Sequence, residues 1–188
     1  MKFKNYVSRP INVPSGVPQG SHLGPLLFLI YINDLPDVLD YCDILMYADD
    51  AKIFYSYSDV MDCMKIQHDF DKLVSWSKAN HLHLNVKKCK VMTYARILNA
   101  TVREYNLENQ ILERCHTFHD LGVTFDSKLT FIPHINIIVS KAYSRLGLIK
   151  RWAKELNDPY VTKSLYVGLV RSILEFACQI WSPYYDIH

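Results

Sequence analysis

Ile44-Leu45-Met46-Tyr47-Ala48-Asp49-Asp50-Ala51-Lys52-Ile53-Phe54-Tyr55 holds two short apolar runs, Ile44–Met46 and Ile53–Tyr55, around an acidic centre. Within the stretch Asp43–Tyr57 this pattern reads as strand, acidic turn, strand: a hairpin with two carboxylates at its tip. Taken alone, an Asp-Asp pair is mostly a turn signal, because aspartate solvates turns and hydrogen-bonds their backbone. The same pair is also a compact oxygen donor set, of the kind that suits Mg²⁺ when a tight turn holds both carboxylates near one point. The surrounding sequence decides between the two readings.

Downstream, Ser58 suits an N-cap, Asp59 and Asp62 favour the positive end of a helix dipole, and Val60, Cys63, Met64, Phe70, Leu73 and Val74 recur near helical spacing up to Ala79. The expectation is one long amphipathic helix covering the sheet. Upstream, Pro14 to Gly24 contains three glycines and two prolines, Pro14 and Pro18, and reads as a shaped loop. Pro25 suits the first turn of a helix, and Leu26–Ile32 is apolar all round, which predicts a helix buried under the sheet until Pro36 ends it.

Leu84 to Tyr94 returns to extended character. Arg103 to Phe125 offers two or three short antiparallel strands, broken at Asn106-Leu107-Glu108-Asn109 and at His119-Asp120. Beyond Pro133 a helix is expected to about Trp152, and after Asn157-Asp158-Pro159 a second one to about Ile180, before Pro183. No internal repeat is present.

The 188 residues suffice for one domain, or one with a small helical appendage, and 49% hydrophobic with 21% charged residues is the composition of a folded protein. A formal net charge of +2 names no partner, so nucleic-acid contact requires cations gathered locally. Lys87, Lys88 and Lys90 form one knot; Lys141, Arg145, Lys150, Arg151 and Lys154 recur later, either as a solvated helix face or as a phosphate-binding stripe. The five cysteines are odd in number and widely spaced, which suggests reduced thiols in an intracellular protein, in cytoplasm or nucleus. His81 and His83 alternate with leucines and give no zinc signature. The longest apolar run, Leu26 to Ile32, is too short to cross a bilayer and nothing resembles a signal peptide, so a soluble location is expected.

Tyr47-Ala48-Asp49-Asp50 follows Gly16-Val17-Pro18-Gln19-Gly20-Ser21, Gly24-Pro25-Leu26-Leu27-Phe28 and Tyr31-Ile32-Asn33-Asp34-Leu35-Pro36. It precedes Leu84-Asn85-Val86-Lys87-Lys88-Cys89-Lys90-Val91-Met92 and Leu121-Gly122-Val123-Thr124-Phe125-Asp126. This order of blocks resembles the reverse transcriptases (RNA-directed DNA polymerases) of non-LTR retrotransposons, the Jockey-like LINE elements, over nearly the whole chain. The resemblance implies an α+β fold: a partial polymerase palm, its antiparallel sheet packed on helices, in residues 1–130, then a helical thumb-like segment in 131–188. It implies template-directed nucleotidyl transfer in the intact parent by a two-metal mechanism with Mg²⁺ or Mn²⁺, on an RNA template, a DNA primer and deoxynucleoside triphosphates.

Carried over by motif, Asp49 is the firmer metal ligand and catalytic carboxylate, and Asp50 assists it. Gly16, Gln19, Gly20 and Ser21 lie beside the template base and incoming nucleotide, with Tyr47 near the primer end and Ala48 keeping the turn compact. Lys88 matches a lysine near the nucleotide phosphates, a candidate catalytic acid for pyrophosphate departure, and is equally read as one cation of a solvated knot. Leu121, Gly122 and Val123 match the hairpin that grips the primer; singly, each also suits a plain core strand. Trp152, Tyr166 and Trp181 are expected in the core. One departure stands out: the family's first metal-binding aspartate lies upstream of the glycine-proline loop, and the residues before Pro14 contain neither Asp nor Glu. The expectation is an N-terminally truncated chain with negligible polymerase activity alone, marginal stability and an unpaired sheet edge, in which either a non-catalytic nucleic-acid-binding remnant or a relic without a role remains open.

Overall fold

The computed structural model describes residues 2–3, 6–7, 9, 12, 16–17, 20–57, 59–95, 103–156 and 158–182. In chain order the elements are β1 (Lys2–Phe3), β2 (Tyr6–Val7), α1 (Leu23–Ile32), β3 (Asp43–Tyr47), β4 (Asp50–Phe54), α2 (Val60–Ala79) and β5 (Lys90–Val91). Then come β6 (Asn106–Leu107), β7 (Gln110–Ile111), β8 (Glu113–Arg114), β9 (Thr117–Asp120), β10 (Val123–Asp126), α3 (Ile132–Leu156), α4 (Pro159–Tyr166), α5 (Ser172–Glu175) and α6 (Cys178–Trp181). This is an α+β chain, as expected, but among the described residues its strands form five two-stranded sheets and no broad one. Two compact units divide it, residues 1–84 with 105–110 and residues 85–104 with 111–188.

In the first unit the acidic hairpin forms as the alternation predicts, with β3 antiparallel to β4 and Ile44 facing Ile53. The helix after it spans the expected residues, capped by Asp59, whose side chain accepts from the Asp62 N–H; Ser58 lies outside the described residues. Cys63, Leu73 and Trp76 form its buried stripe, and Phe70 meets Tyr105 edge to face with 5.8 Å between ring centroids. Gln67 treats β6 as a strand partner would, donating to the Asn106 carbonyl and accepting from its N–H, both at 2.9 Å. The helix therefore packs chiefly on β6 and on the 3₁₀ turn Leu35–Val38, rather than on a wide sheet.

Helix α1 departs from expectation. Leu23, Leu26, Leu27, Leu29 and Ile30 are exposed and only Ile32 is buried. With strands paired only in twos, none of the described elements forms a layer broad enough to cover a helix that is apolar on every side. It stops at Ile32, before Pro36, which lies in the 3₁₀ turn instead.

The buried stripe of α2 carries one charge. Asp69 is fully buried, and its carboxylate accepts backbone N–H groups from Asp40 (3.1 Å), Tyr41 (2.9 Å) and Cys42 (2.7 Å), the residues that lead into β3. Burial pushes its pKa up, but the three N–H groups outweigh that and hold it below the ordinary carboxylate range. Burial, and then the neighbouring Asp69, push the Cys42 thiol up to about 12.

In the second unit, β5 pairs with β8 in parallel, where the sequence suggests antiparallel strands. A parallel pair cannot be joined by a tight turn, and residues 92–112 separate the two strands in sequence. The expected break at His119-Asp120 is strand instead; the turn falls one step later, at Leu121-Gly122, and β9 pairs antiparallel with β10. In the first unit the break expected over Asn106-Leu107-Glu108-Asn109 narrows likewise: Asn106 and Leu107 are strand, and the turn is Glu108-Asn109, both at positive φ. Asp126 organises the entry to α3, accepting from the N–H groups of Lys128, Thr130 and Phe131 and from the Thr130 hydroxyl. Val123, Ile138 and Trp181 form one core, and Ala142, Ile149 and Val170 another. Trp181 is thus core as expected, whereas Trp152 and Tyr166 are exposed.

The helix expected from Pro159 to Ile180 is interrupted. A π-helical turn covers Val167–Arg171, and Ala177, at φ 52°, breaks the chain between α5 and α6. The Phe176 carbonyl that the break frees is taken by the Trp181 indole N–H at 2.8 Å.

Replacing Asp69 by Asn should lower the unfolding free energy by about 2 kcal/mol, the scale of a charge-assisted hydrogen-bond set half lost in a buried place. Because the folded pKa is depressed, the native advantage should be complete above about 3.8, the ordinary value, and vanish as pH falls through the lower folded one. Urea denaturation of both proteins from neutral pH down through the carboxylate range measures it.

Candidate metal and nucleic-acid site

The β3–β4 turn is tight. Tyr47 pairs with Asp50, so only Ala48 and Asp49 lie between the strands. Ala48 sits at φ 51°, in the left-handed region that disfavours large or branched side chains, and a methyl is the smallest side chain that can occupy it. Asp49 therefore projects from the turn, and Asp50 stands on β4 directly across from Tyr47, which is 66% exposed. Both aspartates are exposed, and among the described residues neither carboxylate accepts a hydrogen bond or faces a cation. Two adjacent hard-oxygen groups without protein donors can accept a divalent cation.

Gly16 and Gly20 take φ values of 82° and 84°, and a Cβ at either would meet nothing within 4 Å. Glycine is required there by backbone conformation, with open space beside it. The Ser21 hydroxyl accepts from the Leu23 N–H at 3.3 Å, at the start of α1. Gln19 lies outside the described residues.

The remaining predicted residues belong to the second unit. Lys88 is exposed, with Lys87, on a 3₁₀ turn, while Lys90 is ion-paired with Glu113 and so leaves the knot. Leu121 (φ 43°) and Gly122 (φ 90°) form the two-residue turn between β9 and β10, and Val123 is buried beneath it. An added Cβ on Gly122 would lie 2.6 Å from the Phe176 ring. Lys141, Arg145, Lys150, Arg151 and Lys154 are all exposed along α3. The structure thus groups Tyr47, Ala48, Asp49 and Asp50 at one turn, and Leu121, Gly122 and Val123 at another.

Sequence reasoning missed one cluster with metal-ligand chemistry. Asp40, His68 and Asp69 bring ligand atoms within 4.8 Å of one another. Its oxygens are already engaged, Asp69 by three backbone N–H groups and Asp40 by Lys72 at 2.8 Å and His68 at 3.0 Å. It serves as a structural joint between α2 and the chain before β3; nothing in linear spacing joins residue 40 to 68 and 69. Phe176 was missed too, since only the broken helix brings it to Gly122.

A family model described as reverse transcriptase (RNA-dependent DNA polymerase) matches residues 2–125. Among curated proteins, the chain is 30% identical over 193 residues to a probable RNA-directed DNA polymerase from transposon BS of Drosophila melanogaster, covering 96% of this chain and 21% of that protein. It is 29% identical to the RNA-directed DNA polymerase from mobile element jockey of the same species, over 67% of this chain and 14% of that protein. A probable RNA-directed DNA polymerase from transposon X-element, also of that species, is 26% identical over the whole chain and 21% of its own length. The chain spans about one-fifth or less of the length of these relatives. No solved structure matches.

Substituting Ala for Gly122 should destabilise the second unit by roughly 1–2 kcal/mol, because a Cβ is strained at this φ and meets the Phe176 ring. A lowered thermal midpoint, with Ala at Gly147 as the control in open space, would show it.

Proposed function

The chain belongs to the reverse transcriptase family, and on that premise we propose that it is the part of a retrotransposon RNA-directed DNA polymerase that presents the Asp49–Asp50 carboxylates to the reaction centre. The observation that carries this reading is the two-residue turn itself: two exposed, adjacent carboxylates with no donor or cation on them among the described residues, in a chain matched by the family model over residues 2–125.

The donor set fits Mg²⁺ or Mn²⁺, with Asp49 the main ligand and Asp50 assisting. When bound, such ions lower the cost of ionising a primer 3′ hydroxyl and of releasing pyrophosphate. The chain's own residues hold and orient. Gly16 and Gly20, with open space beside them, leave room for the template base and the incoming deoxynucleoside triphosphate, and Ser21 and, by motif alone, Gln19 belong to the same contact. Tyr47, exposed across from Asp50, offers an aromatic face to the primer end. Lys88, exposed, supplies positive charge to the nucleotide phosphates, and Leu121-Gly122-Val123 contacts the primer strand. Residues 1–130 correspond to palm and 131–188 to the start of a thumb, whose α3 cations follow the phosphates of an RNA–DNA hybrid.

Phosphoryl transfer depends on the full set of positioned charges, and the residues before Pro14 offer no further carboxylate. The chain alone should therefore show no primer extension above its Asp49→Ala, Asp50→Ala double variant. A version lengthened upstream from its genomic neighbourhood should extend a primer on RNA, and the double variant should reduce that by at least about a hundredfold. Extension by the chain alone that the double variant abolishes would contradict the incompleteness. Failure of the lengthened version would leave a binding remnant or a relic, which salt-dependent affinity for the hybrid separates.

A further inference from the structure

We propose that Phe176, Trp181 and His134 form a clamp that fixes the position of the Leu121-Gly122 turn, making them positioning residues for the strand that turn contacts. This rests on the reading of Leu121-Gly122-Val123 as a primer contact.

Four observations in the second unit converge on it. The Phe176 ring lies on Gly122, so closely that a Cβ there would be 2.6 Å from it. The Phe176 carbonyl accepts the Trp181 indole N–H at 2.8 Å. The Trp181 ring meets His134 edge to face at 5.3 Å. His134, 1% exposed, accepts the Thr124 N–H through Nδ1 at 3.2 Å, and Thr124 is on β10, directly after Val123. The circuit closes: turn, Phe176, Trp181, His134, β10, turn.

Packing alone does not require this arrangement. Val123, Ile138 and Trp181 already make the core beneath the hairpin, while Phe176 remains 54% exposed and Gly122 sits at an exposed tip. Laying Phe176 on that tip requires the chain to leave its helix, with Ala177 at φ 52°, opposite a turn whose Leu121 is also left-handed at φ 43°. Leu121 takes the positive φ that a two-residue hairpin turn requires, so the departure to be explained is Ala177, where the helix breaks and Phe176 is laid on the tip. His134 fits the same account: with Nδ1 an acceptor, its proton is on Nε2, which finds no hydrogen-bond partner among the described residues, and burial holds its pKa below the ordinary value. The ring stays neutral and rigid, a fixed post for Trp181.

The test uses the full chain with an RNA template and a DNA primer carrying 2-aminopurine at its 3′ end, alongside amide hydrogen exchange at Gly122 and Val123. Phe176→Ala should speed exchange at those two amides by about tenfold or more and leave the α3 core protected. It should also remove more than about half of the primer-end fluorescence change while hybrid affinity stays within about threefold, since phosphate contacts carry most of the affinity. Phe176→Leu should restore both. Unchanged exchange in Phe176→Ala overturns the clamp. Faster exchange with no primer-end signal even in the native chain overturns the reading of the turn as a primer contact, and the positioning role with it. Faster exchange with an unaltered primer-end signal overturns the positioning role alone.

Discussion

A carboxylate taken wholly out of water keeps its charge only if donors surround it, and the fold meets that demand twice with backbone N–H groups. Asp69 gathers the N–H groups of residues 40–42 and so fixes where the chain enters β3. Asp126 does the same for residues 128, 130 and 131 and fixes where it enters α3. Each joint ties a loop to the element that follows, at a place where apolar contacts alone would leave the register loose. The acidic hairpin in one unit and the β9–β10 hairpin in the other both lie next to such a joint.

Much of the site was legible because its signals are local. A pair of apolar runs around Ala48-Asp49-Asp50 specifies a hairpin, and the spacing from Val60 to Ala79 specifies one helix; both form as read. The glycines at 16 and 20 take the positive φ that a shaped loop calls for. What failed to show depended on distant partners. The all-apolar run from Leu26 to Ile32 suggests burial, yet burial needs a layer to lie under, and five two-stranded sheets provide none among the described residues. The parallel pairing of β5 with β8 joins residues more than twenty positions apart, and the break at Ala177 goes with the contact of Phe176 on Gly122, neither of which any periodicity encodes. Helical spacing suggests core for Trp152 and Tyr166, yet both are exposed on α3 and α4.

The two turns that carry the functional reading are built differently. Asp49 and Asp50 gain their chemistry from having no protein partner among the described residues, so the hairpin tip is presented bare to solvent and ligand. Leu121 and Gly122 are held by an aromatic contact and a strained backbone. On the proposed reading the two serve different needs of nucleotidyl transfer: charge free to accept a cation, and a rigid surface against which a strand end is set.

The most direct test is Mn²⁺ added to the isotopically labelled chain, with paramagnetic broadening read at the backbone amides. The account predicts selective broadening from Tyr47 to Ala51, competed by Mg²⁺ and lost in an Asp49→Asn, Asp50→Asn variant. Broadening centred instead on Asp40, His68 and Asp69, or spread evenly over every exposed carboxylate, would contradict it.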